Sequence, residues 1–419
     1  MVQRRLRNEP SSVKELQSLA EAAGYTVVAS VEQIRKADSR FQIGRGKVKE
    51  IAQLAKENNV EKIIFDNRLK SVQAYNLAKE TGVEAIDRFQ LILEIFTRRA
   101  STTEAKLQVQ LAKLRYELAH AKEKVRLAKM EEQPGFMGLG AYEVDVYHEA
   151  VQKQVHTIQE KLKKIRKKRN LHRKRRQKLG FLSVSLAGYT CAGKSTLFNF
   201  LVQEAIPTGE GLFTTLSTTT RIVELLRKRV LLTDTVGFID RLPITLIEAF
   251  HSTLEETIFS DLILLIIDAS ESLKEIKRKL SVCLDTIQKI GANGIPLVTA
   301  LNKIDLLSPQ ETQRRTKALK NIAPNIVPIS ALHGINIDLL EQELSKHLKN
   351  YVHATFSIPL SDETLSFLSW LFNYVDVKNV KYENGYANVV FEAVPSFTEK
   401  VIGRVKNFGG IIKEFVELK

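Results

Sequence analysis

Hydrophobic and polar positions change period along the chain, and each change marks a new kind of element. Residues 25–30 (YTVVAS) and 62–66 (KIIFD) are β-type runs, 83–86 is a weaker third, and helical spacing fills 46–57 and 71–81. Strands separated by helices of that length need crossover connections, which predicts a small parallel α/β unit over residues 1–100. From Glu104 the spacing becomes an unbroken three-four repeat through Leu107, Leu111, Leu114, Leu118, Ala121, Val125 and Ala128. It resumes at Val151, Val155, Ile158, Leu162 and Ile165. Between the two seams lies QPGFMGLGAY (133–142), whose Pro134 and three glycines do not continue a helix. The pattern over 101–179 predicts an antiparallel helical hairpin with a glycine-rich tip. An arm of roughly 28 residues at about 1.5 Å rise sets that tip on the order of 40 Å from its base. A longer α/β region follows over 180–350. The last segment, 351–419, has β-type runs at 354–358 and 387–393 and helical runs at 364–374 and 397–408, predicting a small α+β domain. There Phe367, Trp370, Leu371 and Tyr374 share helical spacing and are expected in its core.

Composition changes this picture in one place. The chain has 419 residues, with 63 Lys and Arg against 48 Asp and Glu for a net +15. Twelve of the basic residues fall within 161–178 (KLKKIRKKRNLHRKRRQK), which holds no acid. Without those twelve the remaining charges nearly balance, so the excess is local. That density is expected of a surface that meets phosphates, and it places the candidate RNA contacts at Lys163, Lys164, Arg166, Lys167, Lys168, Arg169, Arg173, Lys174, Arg175, Arg176 and Lys178. Phe136 and Tyr142 at the hairpin tip are candidates for stacking on bases. A dimerisation rod built on the same seam, in a scaffold whose nucleotide is structural, is the alternative use of the arm. Attachment to anionic lipid is a weaker third, because the run has few large apolar residues to insert. No apolar stretch approaches a bilayer span, and the basic N-terminus lacks the apolar core of a signal peptide. With only Cys191 and Cys283, no disulfide framework is expected, and a cytoplasmic location is.

The chemistry is concentrated in 180–350. The β-type run 181–187 leads into Gly188-Tyr189-Thr190-Cys191-Ala192-Gly193-Lys194-Ser195-Thr196, a GxxxxGK[ST] loop between a strand and a helix. Its backbone amides and the helix N-terminus cradle phosphate oxygens, Lys194 reaches the β- and γ-phosphates, and Ser195 is a ligand for Mg²⁺. Asp234-Thr235-Val236-Gly237 is a DxxG at a strand end, where Asp234 holds the metal through water and Gly237 meets the γ-phosphate. Asn302-Lys303-Ile304-Asp305 is an NKxD, whose Asp305 accepts from the N1–H and N2–H₂ of guanine, and Ser330-Ala331-Leu332 meets the guanine O6. Each motif ends a strand, where ligands bind in open α/β sheets. The nucleotide is therefore GTP. The intervening segment Phe213-Thr214-Thr215-Leu216-Ser217-Thr218-Thr219-Thr220 offers a switch threonine for the metal at 214, 215, 218, 219 or 220. After DxxG comes Phe238, where a water-orienting Gln stands in Ras-like proteins, so no catalytic group is assigned and slow intrinsic turnover is expected. Asp268 follows a buried-type strand and reads as holding a turn or a helix start.

The passages GYTCAGKSTLFN, LFTTLSTTTR and LLTDTVGFIDRLPITLIEAFHSTLEE resemble the HflX family of ribosome-associated GTPases, and IGRGKVKEI with the run from Asp87 to Ala119 extends the likeness over nearly the whole chain. The resemblance implies that the N-terminal unit and hairpin form the family's own domain ahead of the GTPase domain. It selects Thr215 as the switch ligand. It further implies a protein that binds the large ribosomal subunit and its RNA, reaches toward the peptidyl-transferase region, and splits or rescues ribosomes; the intramolecular hairpin is expected to leave it a monomer. At the tip this chain carries Gly138-Leu139-Gly140-Ala141-Tyr142-Glu143 in place of the family's usual GPGET-like stretch. The opening strand usual in the family is expected to be missing or degenerate.

Overall fold

The computed structural model describes residues 1–129, 139–178, 181–203, 219–225, 228–235, 237–240, 251–348, 352–372, 375–393 and 395–417. The chain divides into two compact units, and the division falls inside one helix, between Ile165 and Arg166.

In the first unit, four parallel strands, β1 (Val2–Arg5), β2 (Val31–Ile34), β3 (Lys62–Phe65) and β4 (Glu84–Asp87), form a sheet in the order β2-β1-β3-β4. Helices α1 (Val13–Ala22), α2 (Arg45–Glu57), α3 (Ser71–Thr81) and α4 (Arg88–Arg99) connect or follow them. Two expectations are corrected. The opening strand is present, with Val2 paired to both Val31 and Phe65. The strand expected at 25–30 is displaced to Val31–Ile34, because β1 supplies its ladder only from Val2 onward and the β-formers before Val31 have no strand beside them. Helix α4 escaped the sequence reading although its start is well marked. The Asp87 carboxylate accepts the Gln90 amide at 3.0 Å while the Gln90 side chain accepts the Asp87 amide at 3.2 Å, a reciprocal cap.

Helices α5 (Thr103–Lys129) and α6 (Leu139–Lys178) carry the two seams. Leu107, Leu111, Leu114 and Leu118 cluster with Val151, Val155, Ile158 and Leu162, positions that mirror one another about the connecting segment, as an antiparallel pair requires. Helix α6 begins at Leu139, inside the glycine-containing stretch, so Gly140 and Tyr142 are helical rather than part of a loop. Phe136 lies outside the described residues.

The second unit contains a six-stranded sheet in the order β10-β9-β8-β5-β7-β6. Strands β5 (Leu182–Gly188), β7 (Lys228–Asp234), β8 (Leu262–Asp268), β9 (Leu297–Asn302) and β10 (Ile326–Pro328) are parallel, and β6 (Thr219–Leu225) joins β7 antiparallel at the edge. The apolar run of β8 (LILLII) is buried on both faces, the signature of a central parallel strand. Helices α7 (Lys194–Val202), α8 (His251–Ile258), α9 (Leu273–Lys289), α10 (Pro309–Leu319) and α11 (Ile337–His347) belong to this region.

The C-terminal segment runs β11 (Val352–Pro359), α12 (Asp362–Phe372), β12 (Asp376–Glu383), β13 (Tyr386–Ala393), α13 (Pro395–Asn407) and β14 (Ile411–Glu417). Its antiparallel order β12-β13-β11-β14 makes a βαββαβ sandwich. Phe356, Phe391, Phe367 and Phe397 fill its core, while Trp370 stacks on Phe397 at 5.5 Å under the Arg404 guanidinium at 4.2 Å. Tyr374 lies outside the described residues. The sequence reading missed β12 and β14. The β12 strand (DVKNVKYE) is too polar to announce itself and is recruited by β13 across the Asn384-Gly385 hairpin, where both residues take positive φ.

Candidate functional site

The phosphate loop follows β5 and opens α7. Gly188 has φ +148° and a Cβ there would stand 2.3 Å from the Ile266 carbonyl oxygen, while Gly193 has φ +94° and a Cβ there would stand 2.2 Å from Asn302 Nδ2. Both glycines are thus required by close approach as well as by backbone conformation. Lys194 is buried, and its Nζ donates to the carbonyls of Tyr189 (2.8 Å) and Gly188 (3.2 Å). Burial pushes its pKa down, with the Asp234 carboxylate opposing that shift. A cation held in this way is stabilised further when phosphate arrives.

Ser195 Oγ donates to Asp234 Oδ2 at 3.0 Å, so the two oxygen groups expected at the metal are brought together. Thr235 is buried and bonds the Leu186 carbonyl at 2.5 Å. Gly237 lies against the loop, where a Cβ would stand 2.8 Å from Thr190 Cγ2 and 2.9 Å from Lys194 Nζ. Phe238 is 2% exposed, and its backbone forms a two-bond bridge to the loop: its N–H donates to the Gly188 carbonyl, and its carbonyl accepts from the Thr190 N–H, both at 2.9 Å. Phe238 is therefore a structural clasp between the phosphate loop and the DxxG segment, not a group that handles water. Val236 and the switch residues Phe213, Thr214, Thr215, Leu216 and Ser217 lie outside the described residues, as does Thr218.

Around the NKxD sequence a single residue ties three motifs together. Asn302, 3% exposed, donates from Nδ2 to the Ala192 carbonyl (2.8 Å) and accepts at Oδ1 from the Ala331 N–H (2.9 Å). Ser330 and Ile335 exchange two backbone bonds of 3.1 Å that close the loop carrying Ala331 and Leu332. Asp305 sits on a 3₁₀ turn (Ile304–Leu306), with His333 Nε2 at 4.0 Å from its Oδ2, and Leu332 is 69% exposed beside it in sequence order. Cys191 is exposed at φ +62°, and Thr196 lies in the first turn of α7.

Sequence reasoning missed one contributor. Asp268, read as a turn former, does accept the Ser270 amide at 2.8 Å, and its other oxygen holds Lys303 Nζ at 2.5 Å. Lys303 has a left-handed backbone at φ +67°, so this ion pair fixes the side chain of the NKxD lysine from the neighbouring strand. The available signal was the position of Asp268 at the carboxyl end of β8, in register with Asn302. Tyr189, already expected in the phosphate loop, uses its hydroxyl to accept the Asp240 amide at 2.9 Å, while Arg278 holds the Asp240 carboxylate at 2.8 Å.

Part of the basic run is paired within the protein. Arg166 pairs with Glu255 of α8, and Arg173 donates to Glu256 at 3.1 Å, with Arg169 and Arg176 at 3.9 and 3.7 Å from the same carboxylate. Four of the expected RNA contacts are thus engaged within the protein. Lys167, Lys168 and Lys174 are exposed, as are Lys163 and Lys164, and nothing is described of the side chains of Arg175 and Lys178. Among the described residues no group of three or more His, Cys, Asp or Glu is placed to hold a metal, and no helix is long and apolar enough to cross a membrane.

Comparison with known proteins matches three family descriptions in succession: "GTP-binding GTPase N-terminal" over 10–97, "GTP-binding GTPase Middle Region" over 99–176, and "50S ribosome-binding GTPase" over 183–303. GTPase HflX of Methanocaldococcus jannaschii is 48% identical over 337 residues, covering 80% of this chain and 83% of that protein. GTPase HflX of Thermococcus kodakarensis is 41% identical, covering 90% of this chain and 88% of that protein, and its Escherichia coli counterpart is 35% identical over 81% and 80%. Among solved structures, a Sulfolobus solfataricus GTP-binding protein in complex with GDP is 25% identical, covering 83% of this chain and 98% of that one with a TM-score of 0.46. On the strength of the sequence relatives, the chain belongs to the HflX family of GTPases.

Proposed function

We propose that this chain binds and hydrolyses GTP with Mg²⁺, and that the nucleotide state governs its association with the large ribosomal subunit and its RNA. The observation that carries the reading is that the segment matching the 50S ribosome-binding GTPase description contains the phosphate loop, the DxxG and the Asn302 tie as one connected site. In this reading Gly188 to Thr196 hold the phosphates, Asp305 with Ser330, Ala331 and Leu332 selects guanine, and Thr215 completes the metal set when GTP is bound. The donor set fits Mg²⁺: Ser195 offers a hydroxyl and Asp234 a carboxylate 3.0 Å away, hard oxygen ligands that leave most positions to phosphate and water. The ion neutralises charge on the β- and γ-phosphates. Phe238 brings no polar side-chain atom, so turnover in isolation is slow and an ordered partner completes the site.

The arms of the hairpin fill each other's seam, which supports a monomer over a dimeric rod. Such an arm serves to reach, and splitting or rescue of ribosomes in the cytoplasm is the corresponding role. The test is co-sedimentation with separated ribosomal subunits in GDP and in a non-hydrolysable GTP analogue. Retention on large subunits in the analogue alone supports the reading. Equal retention in both states, or none in either, overturns it.

A further inference from the structure

The basic helix is two-sided. Arg166, Arg169, Arg173 and Arg176 recur at intervals of three, four and three, which places them on one face of α6. All four meet carboxylates of α8: Glu255, 1% exposed in its side chain, and Glu256, 11% exposed. Arg173 is the centre of this face. It is 9% exposed, donates to both Glu256 and Asn170 Oδ1, and lays its guanidinium 4.0 Å over the Phe259 ring. A planar guanidinium suits paired carboxylates and ring stacking in a way that an ammonium does not.

The lysines keep the other side. Lys167, Lys168 and Lys174 are exposed, at helical positions away from the arginine row, with Leu171 between them 62% exposed. Residues 166–178 contain nine basic residues and no acid, and the carboxylates of α8 are met from the arginine side. Ammonium groups on an exposed helical face give point charges suited to a spaced row of phosphodiesters. One exposed leucine is too little apolar surface for a lipid interface.

We propose that the two faces divide the work: the arginine face is an internal latch joining the arm's returning helix to α8, the helix after the DxxG segment, and the lysine face is the RNA backbone contact. The proposal refines the RNA contact within the function proposed above and rests on that reading. Latch and RNA contact are then separable by substitution. RNA bound on the lysine face leaves the arginine pairs intact.

The experiment measures binding of the full chain to a fluorescein-labelled RNA duplex over a series of salt concentrations, alongside thermal melting. The triple variant Lys167→Gln, Lys168→Gln, Lys174→Gln is expected to reduce the slope of log K against log[salt] by roughly 2–3 with an unchanged melting temperature. Arg173→Gln and Glu256→Gln are expected to lower the melting temperature and keep the slope, and Arg173→Glu with Glu256→Arg to recover the melting temperature. An unchanged slope in the lysine variant overturns the proposal. So does a slope lost equally in Arg173→Gln, or a lysine effect seen on vesicles of phosphatidylglycerol and phosphatidylcholine but not on RNA. Because the duplex assay needs neither ribosome nor nucleotide, its outcome stands apart from the subunit co-sedimentation.

Discussion

The nucleotide site and the basic end of α6 are both short, dense and strongly patterned, yet their residues acquire roles in different ways. In the nucleotide site the role follows from backbone geometry. Gly193 exists because Asn302 lies against it, and Asn302 is held because it satisfies Ala192 and Ala331. Each residue type at each position has one use. At the basic end of α6 one charge type recurs along the helix, and the role depends on which way each side chain faces. Arg173 and Lys174 are neighbours in sequence, yet Arg173 is a buried partner of Glu256 and Lys174 is open to solvent.

If roles in the nucleotide site are positional, single substitutions there have large effects. Lys194→Ala removes the buried cation and is expected to cost GTP binding about 3–5 kcal/mol, a loss of hundreds-fold or more in a fluorescent-nucleotide titration. Affinity within threefold of the parent would break the comparison. Asn302→Ala strands the Ala192 carbonyl and the Ala331 amide together, at about 1–3 kcal/mol each, and should show as faster GDP release and a lower melting temperature.

Phe238→Gln sharpens the point, because it installs the side chain that Ras-like proteins use. Phe238 is 2% exposed, so the new amide enters a packed site and is expected to cost about 2–4 kcal/mol of stability with no gain in single-turnover rate. A faster rate at unchanged stability would return the position to catalysis. The smallest effect is expected at Asp268→Asn. It keeps the acceptor for Ser270 but loses the charge that fixes Lys303, weakening GDP by roughly fivefold to tenfold. In a Lys303→Ala background the same change should add nothing. Additive losses would show that Asp268 acts other than through Lys303.

The same distinction explains what was legible in the sequence. Motifs that end strands were readable because spacing encodes the loop: Gly188 to Ser195, Asp234 to Gly237, Asn302 to Asp305 and Ser330 to Leu332 all come to the carboxyl ends of strands in one sheet. The hairpin was readable from its seam, since Leu111 and Ile158 need each other's surface. What remained hidden depends on contacts distant in sequence. Strand β2 begins at Val31 only because Met1 and Val2 lie beside it. Strand β12 forms because β13 recruits it, and Asp268 becomes a positioning residue because β8 and β9 are adjacent. The arginine latch was hidden for the same reason, as Glu255 and Glu256 lie about eighty residues further along the chain.

We propose a GTPase whose site is assembled but not fully armed, and whose completing partner is the large ribosomal subunit. The most direct measurement is single-turnover GTP hydrolysis by the full chain alone, with purified large subunits, and with small subunits. The expected result is slow hydrolysis alone, a rate raised tenfold or more by large subunits, and little change with small ones. Rapid hydrolysis by the chain alone, or equal response to the two subunits, would contradict it.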